Sequence, residues 1–223
     1  CFVTRWGMVI DIGTCVGCQA CTVACKTENQ SPRDAWYAPV IEWESGVFPD
    51  ATLNYLPTLC NHCEDAPCVT ACPSGAITRR DDGIVIADED ICIGSRACMA
   101  ACPYGAINFF EDSGTASPPA ALAAPQESVP ERYAHEKHVH GAISKCNYCA
   151  HRIDYGVEHG LEVGVHPLAT PACVVSCPAE CRIFGDLDDP ESNVSRYLTE
   201  KGPGEVLRPD ARTDPKTKYV NLQ

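Results

Sequence analysis

The sequence has no run of about 18 apolar residues, so none of it reads as a membrane-spanning helix. It has no secretory-type apolar leader either, and it starts at Cys1 rather than Met, as a processed, trimmed or lipid-modified end would. Basic residues are scarce: 17 Lys and Arg stand against 30 Asp and Glu, for a net charge of −13. Phosphate binding needs clustered Lys and Arg, so nucleic acid is excluded as a partner. There is no Gly-rich phosphate cradle and no nucleophile–base constellation, so no substrate chemistry is visible. What the chain has in excess is cysteine, 17 of 223 residues. Disulfide scaffolds reach such density in much shorter chains, and an odd count forbids complete pairing. A chain this long can bury a core without staples, so the cysteines read as metal-binding thiolates.

Fifteen cysteines fall into four groups. Group I is Cys15, Cys18, Cys21 and Cys25, spaced C-x2-C-x2-C-x3-C. Group II is Cys60, Cys63, Cys68 and Cys72, spaced C-x2-C-x4-C-x3-C and followed by Pro73. Group III is Cys92, Cys98 and Cys102, followed by Pro103. Group IV is Cys146, Cys149, Cys173 and Cys177, followed by Pro178. Cys1 and Cys181 are left over. The groups form an internal repeat. C-V-G-C-Q-A-C-T-V-A-C of group I matches C-I-G-S-R-A-C-M-A-A-C of group III, with Ser95 at the position of Cys18. Groups II and IV begin C-N-H-C and C-N-Y-C, and end C-V-T-A-C-P and C-V-V-S-C-P.

Three cysteines at x2 intervals wrap a tight loop around one face of a cubane. The fourth lies a helical turn further on and points away, so it can ligate a second cluster. This is the arrangement of bacterial two-cluster ferredoxins. Proline after the fourth Cys stops the short helix and sends the chain into a strand. A zinc ribbon needs two C-x2-C pairs and neither the third nor the fourth cysteine of this pattern.

The four-group pattern, with Met8-Val-Ile-Asp11 before it and Cys177-Pro-Ala-Glu-Cys-Arg-Ile-Phe-Gly-Asp-Leu187 after it, resembles the four-cluster iron–sulfur subunit of the DMSO-reductase family of molybdenum or tungsten oxidoreductases. The segments around Asp189-Pro190 and Pro215-Lys216 are similar to the branch of polysulfide, thiosulfate, tetrathionate and arsenate reductases and sulfite dehydrogenases. The resemblance implies one [4Fe–4S] cluster on Cys15, Cys18, Cys21 and Cys177. It implies a second on Cys146, Cys149, Cys173 and Cys25, and a third on Cys60, Cys63, Cys68 and Cys102. Cys92, Cys98 and Cys72 would hold the last, with Ser95 at its fourth corner. Serine is a harder, less acidic ligand than cysteine. It either binds iron or leaves the corner empty, so the expectation is three [4Fe–4S] and one [3Fe–4S], the alternative being four [4Fe–4S]. The resemblance also implies two partners: a catalytic subunit carrying molybdopterin as the bis-pterin guanine dinucleotide, and an integral membrane subunit that binds quinone. The chain would then lie peripherally on the membrane through that anchor, on a side the sequence does not decide.

The expected fold is α+β, two pseudo-symmetric bacterial ferredoxin-like lobes carrying four clusters, with loop insertions. Residues 1–55 and 141–223 form the outer lobe with a C-terminal extension, 56–112 the inner lobe, and 113–140 an inserted loop. Strands are expected near Met8–Asp11, Ile84–Ile86, Ala106–Phe109 and Arg182–Phe184. A late helix is expected from Pro190 to Lys201, with Asp189 as its cap and Gly202 as its stop. The aromatic-rich stretch Asn29–Thr58 reads as packing or as a docking surface. His135, His138 and His140 read as loop histidines rather than haem or metal ligands. Cys181 reads as a small buried residue beside a cluster, and Lys26 and Arg96 as cations that offset cluster charge or simply meet solvent. Catalytic residues are not expected. The leading function is electron transfer between the pterin subunit and the quinone subunit. The competing readings are a soluble polyferredoxin serving a hydrogenase or formate enzyme, a non-redox partner subunit of a pterin enzyme, and a structural metal protein.

Overall fold

The computed structural model describes residues 4–32, 34–110, 133 and 136–222. Cys1, His135 and most of the expected 113–140 loop lie outside them. Most elements are short because they follow or precede a cysteine-bearing loop. Strands β1 (Trp6–Asp11), β2 (Val40–Ser45), β3 (Thr52–Pro57), β4 (Ile77–Arg79), β5 (Val85–Ala87), β6 (Ile107–Phe109), β7 (Ile143–Lys145), β8 (Arg182–Asp186) and β9 (Thr217–Val220) alternate with helices α1 (Ala20–Asn29), α2 (Pro67–Thr70), α3 (Ala97–Ala101), α4 (Ala150–Glu158), α5 (Ala172–Val175) and α6 (Asn193–Lys201). The whole is a mixture of helices and small sheets.

The strand pairing follows the cysteine groups. β1, which leads into group I, pairs antiparallel with β8, which leaves group IV. β4, leaving group II, pairs with β5, entering group III, and β6, leaving group III, pairs with β7, entering group IV. β9 adds to β1 in parallel, completing a three-stranded sheet in the order β8-β1-β9. The apolar run of β1 is buried on both faces: Met8 and Ile10 pack into one cluster and Val9 into another with Val194 and Val220.

Three buried clusters result, the smallest of Val9, Val194 and Val220; the other two carry the cysteines. The larger joins Met8, Ile10 and Phe184 with Cys21, Cys25, Cys146 and Cys173, and extends to Cys60 and Ile84. The smaller joins Ile77, Val85, Ile107 and Ile143 with Cys68 and Cys98. Where they meet, His62 and Tyr148 stack with ring centroids 3.7 Å apart. These residues occupy the same position in the two C-N-H-C and C-N-Y-C repeats. Both backbones are left-handed there, with φ of 44° and 54°.

The late helix begins later than expected. Its cap is Ser192, whose hydroxyl accepts from the Ser195 amide, and Asp189 instead closes the preceding turn through the Glu191 amide. Proline at 190 therefore belongs to that turn. The stop at Gly202 is as expected, with φ of 103°. The Asn29–Thr58 stretch contains the β2–β3 hairpin, whose tip leaves Phe48 91% exposed. The base of the hairpin packs: Tyr55 lies over Gly17 so closely that any side chain there would collide with its ring.

Candidate metal centres

The cysteines sit in two kinds of place. Some lie in loops whose backbone turns left-handed. Gly17 and Gly94 have φ of 65° and 67°, and Gln19 and Arg96 have φ of 60° and 57°. These turns curl amides toward the sulfurs: the Gly94 amide donates to Cys92 Sγ at 3.5 Å, and the Tyr148 amide to Cys146 Sγ at 3.5 Å. Others lie on or just after short helices. Cys21 and Cys25 share α1, Cys68 precedes Cys72 across the end of α2, Cys98 precedes Cys102 across the end of α3, and Cys173 precedes Cys177 across the end of α5. A spacing of four puts each pair one turn apart, so each helix has a sulfur at either end of a short rod.

Tertiary structure brings sulfurs from different groups together. Cys60, Cys63, Cys68 and Cys102 line one cavity, with Asn61, Pro103 and Tyr104. Cys25 of group I is within electrostatic reach of Cys173, Cys149 and Cys146 of group IV. The Asn29 amide touches both Cys25 Sγ (3.5 Å) and Cys149 Sγ (3.9 Å). Cys98 of group III interacts with Cys72 of group II and with Cys92. Cys15 of group I lies near Cys181, whose Sγ is 3.4 Å from Cys177 Sγ of group IV. Cys18 and Ser95 are exposed, each in its own loop. Among the described residues no three His, Cys, Asp or Glu side chains surround a single ion position.

Burial makes several of these thiols hard to ionise alone. Burial first, then neighbouring Cys60, pushes Cys68 up to about 12, and burial pushes Cys173 up to about 12 against the pull of Arg182. Burial raises Cys146 and Cys25 as well, reinforced by each other's proximity. Cys72 is the opposite case. Burial opposes its ionisation, but the amides of Ile77, Ser74 and Ala76 and the Ser74 hydroxyl outweigh it and lower the thiol. A buried set of thiolates needs a compensating cation, and iron supplies one.

The polar residues around the sulfurs fit an anionic cluster. Arg182 is 2% exposed, yet its Nε and Nη2 have no hydrogen-bond acceptor among the described residues, and its Nη1 meets Met8 Sδ at 3.8 Å. Burial opposes its charge, but Cys173, Cys21 and Cys181 outweigh that and raise its pKa. Lys145 is 6% exposed; its ammonium reaches Cys60 Sγ at 3.6 Å, the Cys146 carbonyl at 2.9 Å and the Val85 carbonyl. The donor set of thiols, curled amides and guanidinium N–H groups suits an iron–sulfur cluster.

Spacing alone overlooks Arg182 and Lys145 and points to Lys26 and Arg96 instead. Lys26 donates to the carbonyls of Pro32 (2.7 Å) and Ala35 (3.1 Å) beneath the Trp36 ring, though Cys25 is within its reach. Arg96 lies over the Phe109 ring at 3.6 Å. The signal for the other two was their place, one residue before Cys146 and one after Cys181, on strands that enter and leave group IV. His138 spans Glu89 (2.7 Å) and the Asn29 carbonyl (3.0 Å), and His140 packs on Phe110. Cys181 is buried beside Cys177.

Two overlapping segments, residues 14–76 and 51–119, match family models described as 4Fe-4S dicluster domains. The chain is similar to the arsenate respiratory reductase iron–sulfur subunit ArrB of Shewanella sp. (strain ANA-3), 40% identical over 97% of this chain and 96% of that one. It is 34% identical to the B subunit of tetrathionate reductase from Salmonella typhimurium (98% of this chain, 73% of the relative). It is also 34% identical to the B component of polysulfide reductase from Wolinella succinogenes (96% and 92%). No helix among the described residues is long and apolar enough to cross a membrane.

Proposed function

The chain belongs to the iron–sulfur electron-transfer subunits of DMSO-reductase-type reductase complexes, and from that premise we propose that it carries four clusters in single file. The proposed cages are Cys15/Cys18/Cys21/Cys177, Cys25/Cys146/Cys149/Cys173, Cys60/Cys63/Cys68/Cys102 and Cys72/Cys92/Cys98 with Ser95. The observation that carries this reading is the cavity lined by Cys60, Cys63, Cys68 and Cys102, three sulfurs of group II and one of group III. Such sharing is what two-cluster ferredoxins use. The two overlapping 4Fe-4S dicluster matches, which together cover groups I to III, support iron–sulfur clusters at these cysteines.

When bound, each cluster stores and passes one electron. The protein's part is to hold the line. The pairs Cys21–Cys25 and Cys173–Cys177 join the first cage to the second through α1 and α5. Cys68–Cys72 and Cys98–Cys102 join the third to the fourth through α2 and α3. The curled amides at Gly94 and Tyr148 hold the sulfurs as acceptors, and the buried core around them excludes water. The two halves, residues 1–55 with 141–223 and 56–112, are read as pseudo-symmetric ferredoxin-like lobes. The His62–Tyr148 stack and the shared β6–β7 pairing tie one to the other.

Ser95 follows a glycine whose backbone matches that of Gly17, so the loop is shaped for a fourth ligand that the side chain supplies poorly. The fourth cluster is therefore read as [3Fe–4S]. At the ends of the file, the partners are a molybdopterin catalytic subunit and a membrane subunit that exchanges electrons with quinone, and through the latter the chain lies peripherally on the membrane. The test is iron analysis with EPR on the anaerobically purified complex. About 15 irons per chain with an oxidised-state S = ½ signal supports the reading, and about 16 without that signal replaces the last cluster by [4Fe–4S]. Stoichiometric zinc in place of iron would end it.

A further inference from the structure

Three cations are buried among the described residues: Lys145, Arg182 and Lys216. Lys216 is neutralised by Glu64, whose carboxylate lies 2.6 Å from its ammonium. Lys145 and Arg182 have no carboxylate partner among the described residues. A buried, unpaired charge costs several kcal/mol, so two of them in one small protein call for a counter-charge. The groups facing them include cysteine sulfurs: those of two cages at Arg182, and at Lys145 a sulfur of one cage beside the backbone of another. Arg182 acts on Cys21 of the first and on Cys25 and Cys173 of the second. Lys145 touches Cys60 of the third cage, acts on Cys68, and bonds the carbonyl of Cys146 in the second.

The two positions are not equivalent in the backbone. The first and second cages are joined by α1 and α5, and the third and fourth by α2 and α3. Among the described residues no helix joins the second to the third. There the connection is Lys145, with the His62–Tyr148 stack beside it. The third-to-fourth connection, by contrast, has no buried cation among the described residues.

We propose that Arg182 and Lys145 are positioning residues for electron transfer, each a fixed positive charge shared by two successive clusters that raises the reduction potential of both. The inference deepens the four-cluster reading and rests on it. Reduction adds one negative charge to a cluster, and a nearby cation in a low-dielectric interior favours the reduced form. Neither side chain takes up the electron or a proton, and no bond is made or broken at either. Because the charge is shared, the second cluster, flanked by both cations, is raised most. The last cluster, whose neighbourhood has no buried cation among the described residues, is left to its own ligands.

The test is a redox-poised EPR titration of the intact complex bearing Arg182→Met or Lys145→Met, beside Arg182→Lys and Lys145→Arg, with iron counted in each. Each neutral variant is expected to keep its iron and to shift two clusters together toward the oxidised form. The shift should be about tenfold in the oxidised-to-reduced ratio at fixed potential, or about 59 mV. The first and second clusters respond to Arg182→Met, and the second and third to Lys145→Met. The charge-retaining variants are expected to stay within about threefold of the parent, which separates charge from packing. Full iron with unmoved potentials in the neutral variants overturns the proposal, as does iron loss from them, which would make the cations structural. A parent complex lacking four clusters by iron count and EPR would instead defeat the four-cluster reading itself.

Discussion

The loops of group I and group III are two copies of one piece of backbone that differ at the corner after the glycine, at the residue after the fourth cysteine, and in the bonds made by the aspartate ahead of them. Both begin after a strand, turn through a left-handed glycine, Gly17 or Gly94, and enter a helix through a second left-handed residue, Gln19 or Arg96. In group I the corner after the glycine is Cys18; in group III it is Ser95. After the fourth cysteine, Lys26 lets α1 run on to Asn29, whereas Pro103 stops α3 at Ala101, with Cys102 already extended at ψ of 113°. Ahead of the loops, Asp11 accepts from the Gly13 amide, the Tyr197 hydroxyl and the Asn221 amide, while exposed Asp88 accepts from the Asp90 amide. The comparison teaches that the loop shape is generic. The number of cysteines and the anchoring are set by single residues placed on it.

Removing the iron should erase the difference between the loops altogether. Both are shaped around several sulfurs, of which burial raises Cys25 and Cys98, so metal binding is coupled to folding. Chelation under reducing conditions is expected to lower the melting temperature by about 10 °C or more and to abolish the near-ultraviolet circular dichroism. Retention of a cooperative, native-like transition would mean that the loops are built by the chain alone.

Exchanging the corner ligands should invert the comparison. Ser95→Cys is expected to add about one iron per chain and remove the oxidised-state EPR signal of the group III cluster, and Cys18→Ser to do the reverse at group I. If Ser95→Cys leaves iron and spectrum unchanged, serine already fills that corner.

The smallest effect concerns the anchors. Hydrogen bonds from Tyr197, Asn221 and Gly13 hold Asp11 below the ordinary carboxylate value of 3.8, although burial pulls the other way. A depressed carboxylate contributes stability that is complete above the unfolded pKa and lost as pH falls through the folded one. Asp11→Asn is therefore expected to cost about 1–3 kcal/mol at pH 7, by thermal or denaturant unfolding, with the gap from the parent narrowing below about pH 4. Asp88→Asn should cost less than about 0.5 kcal/mol. Equal costs would show that the two loops are anchored alike.

Much of the site was legible because cysteine spacing is a local code. Turns of x2 and x3 put sulfurs on one loop and one helical turn, and Pro73, Pro103 and Pro178 mark where the helices stop. The strands at β1 and β8 and the stop at Gly202 were legible for the same reason. The start of α6 was not, because Asp189 and Ser192 are both good caps. Only the fold decides which hydroxyl or carboxylate faces the free amides, and Ser192 also reaches the Asp186 carbonyl, at the end of β8. Lys145 and Arg182 were not legible as neighbours of several cysteine groups, because closeness in space is not given by closeness along the chain. Lys26 turned back onto carbonyls of its own loop, while strand residues drawn into the core carried Lys145 and Arg182 to the sulfurs.

By itself, then, the sequence determined the cysteine inventory: four groups, their repeat, and a serine where one repeat has a cysteine. Local spacing needs only a few fixed dihedrals to express these. Tertiary structure alone decided which groups share a space, through β1–β8 pairing across most of the chain and through the cavity that joins Cys102 to group II. It alone buried two cations that have no carboxylate partner among the described residues. Those outcomes depend on burial and long-range pairing, whose energies come from the whole core rather than from any one segment.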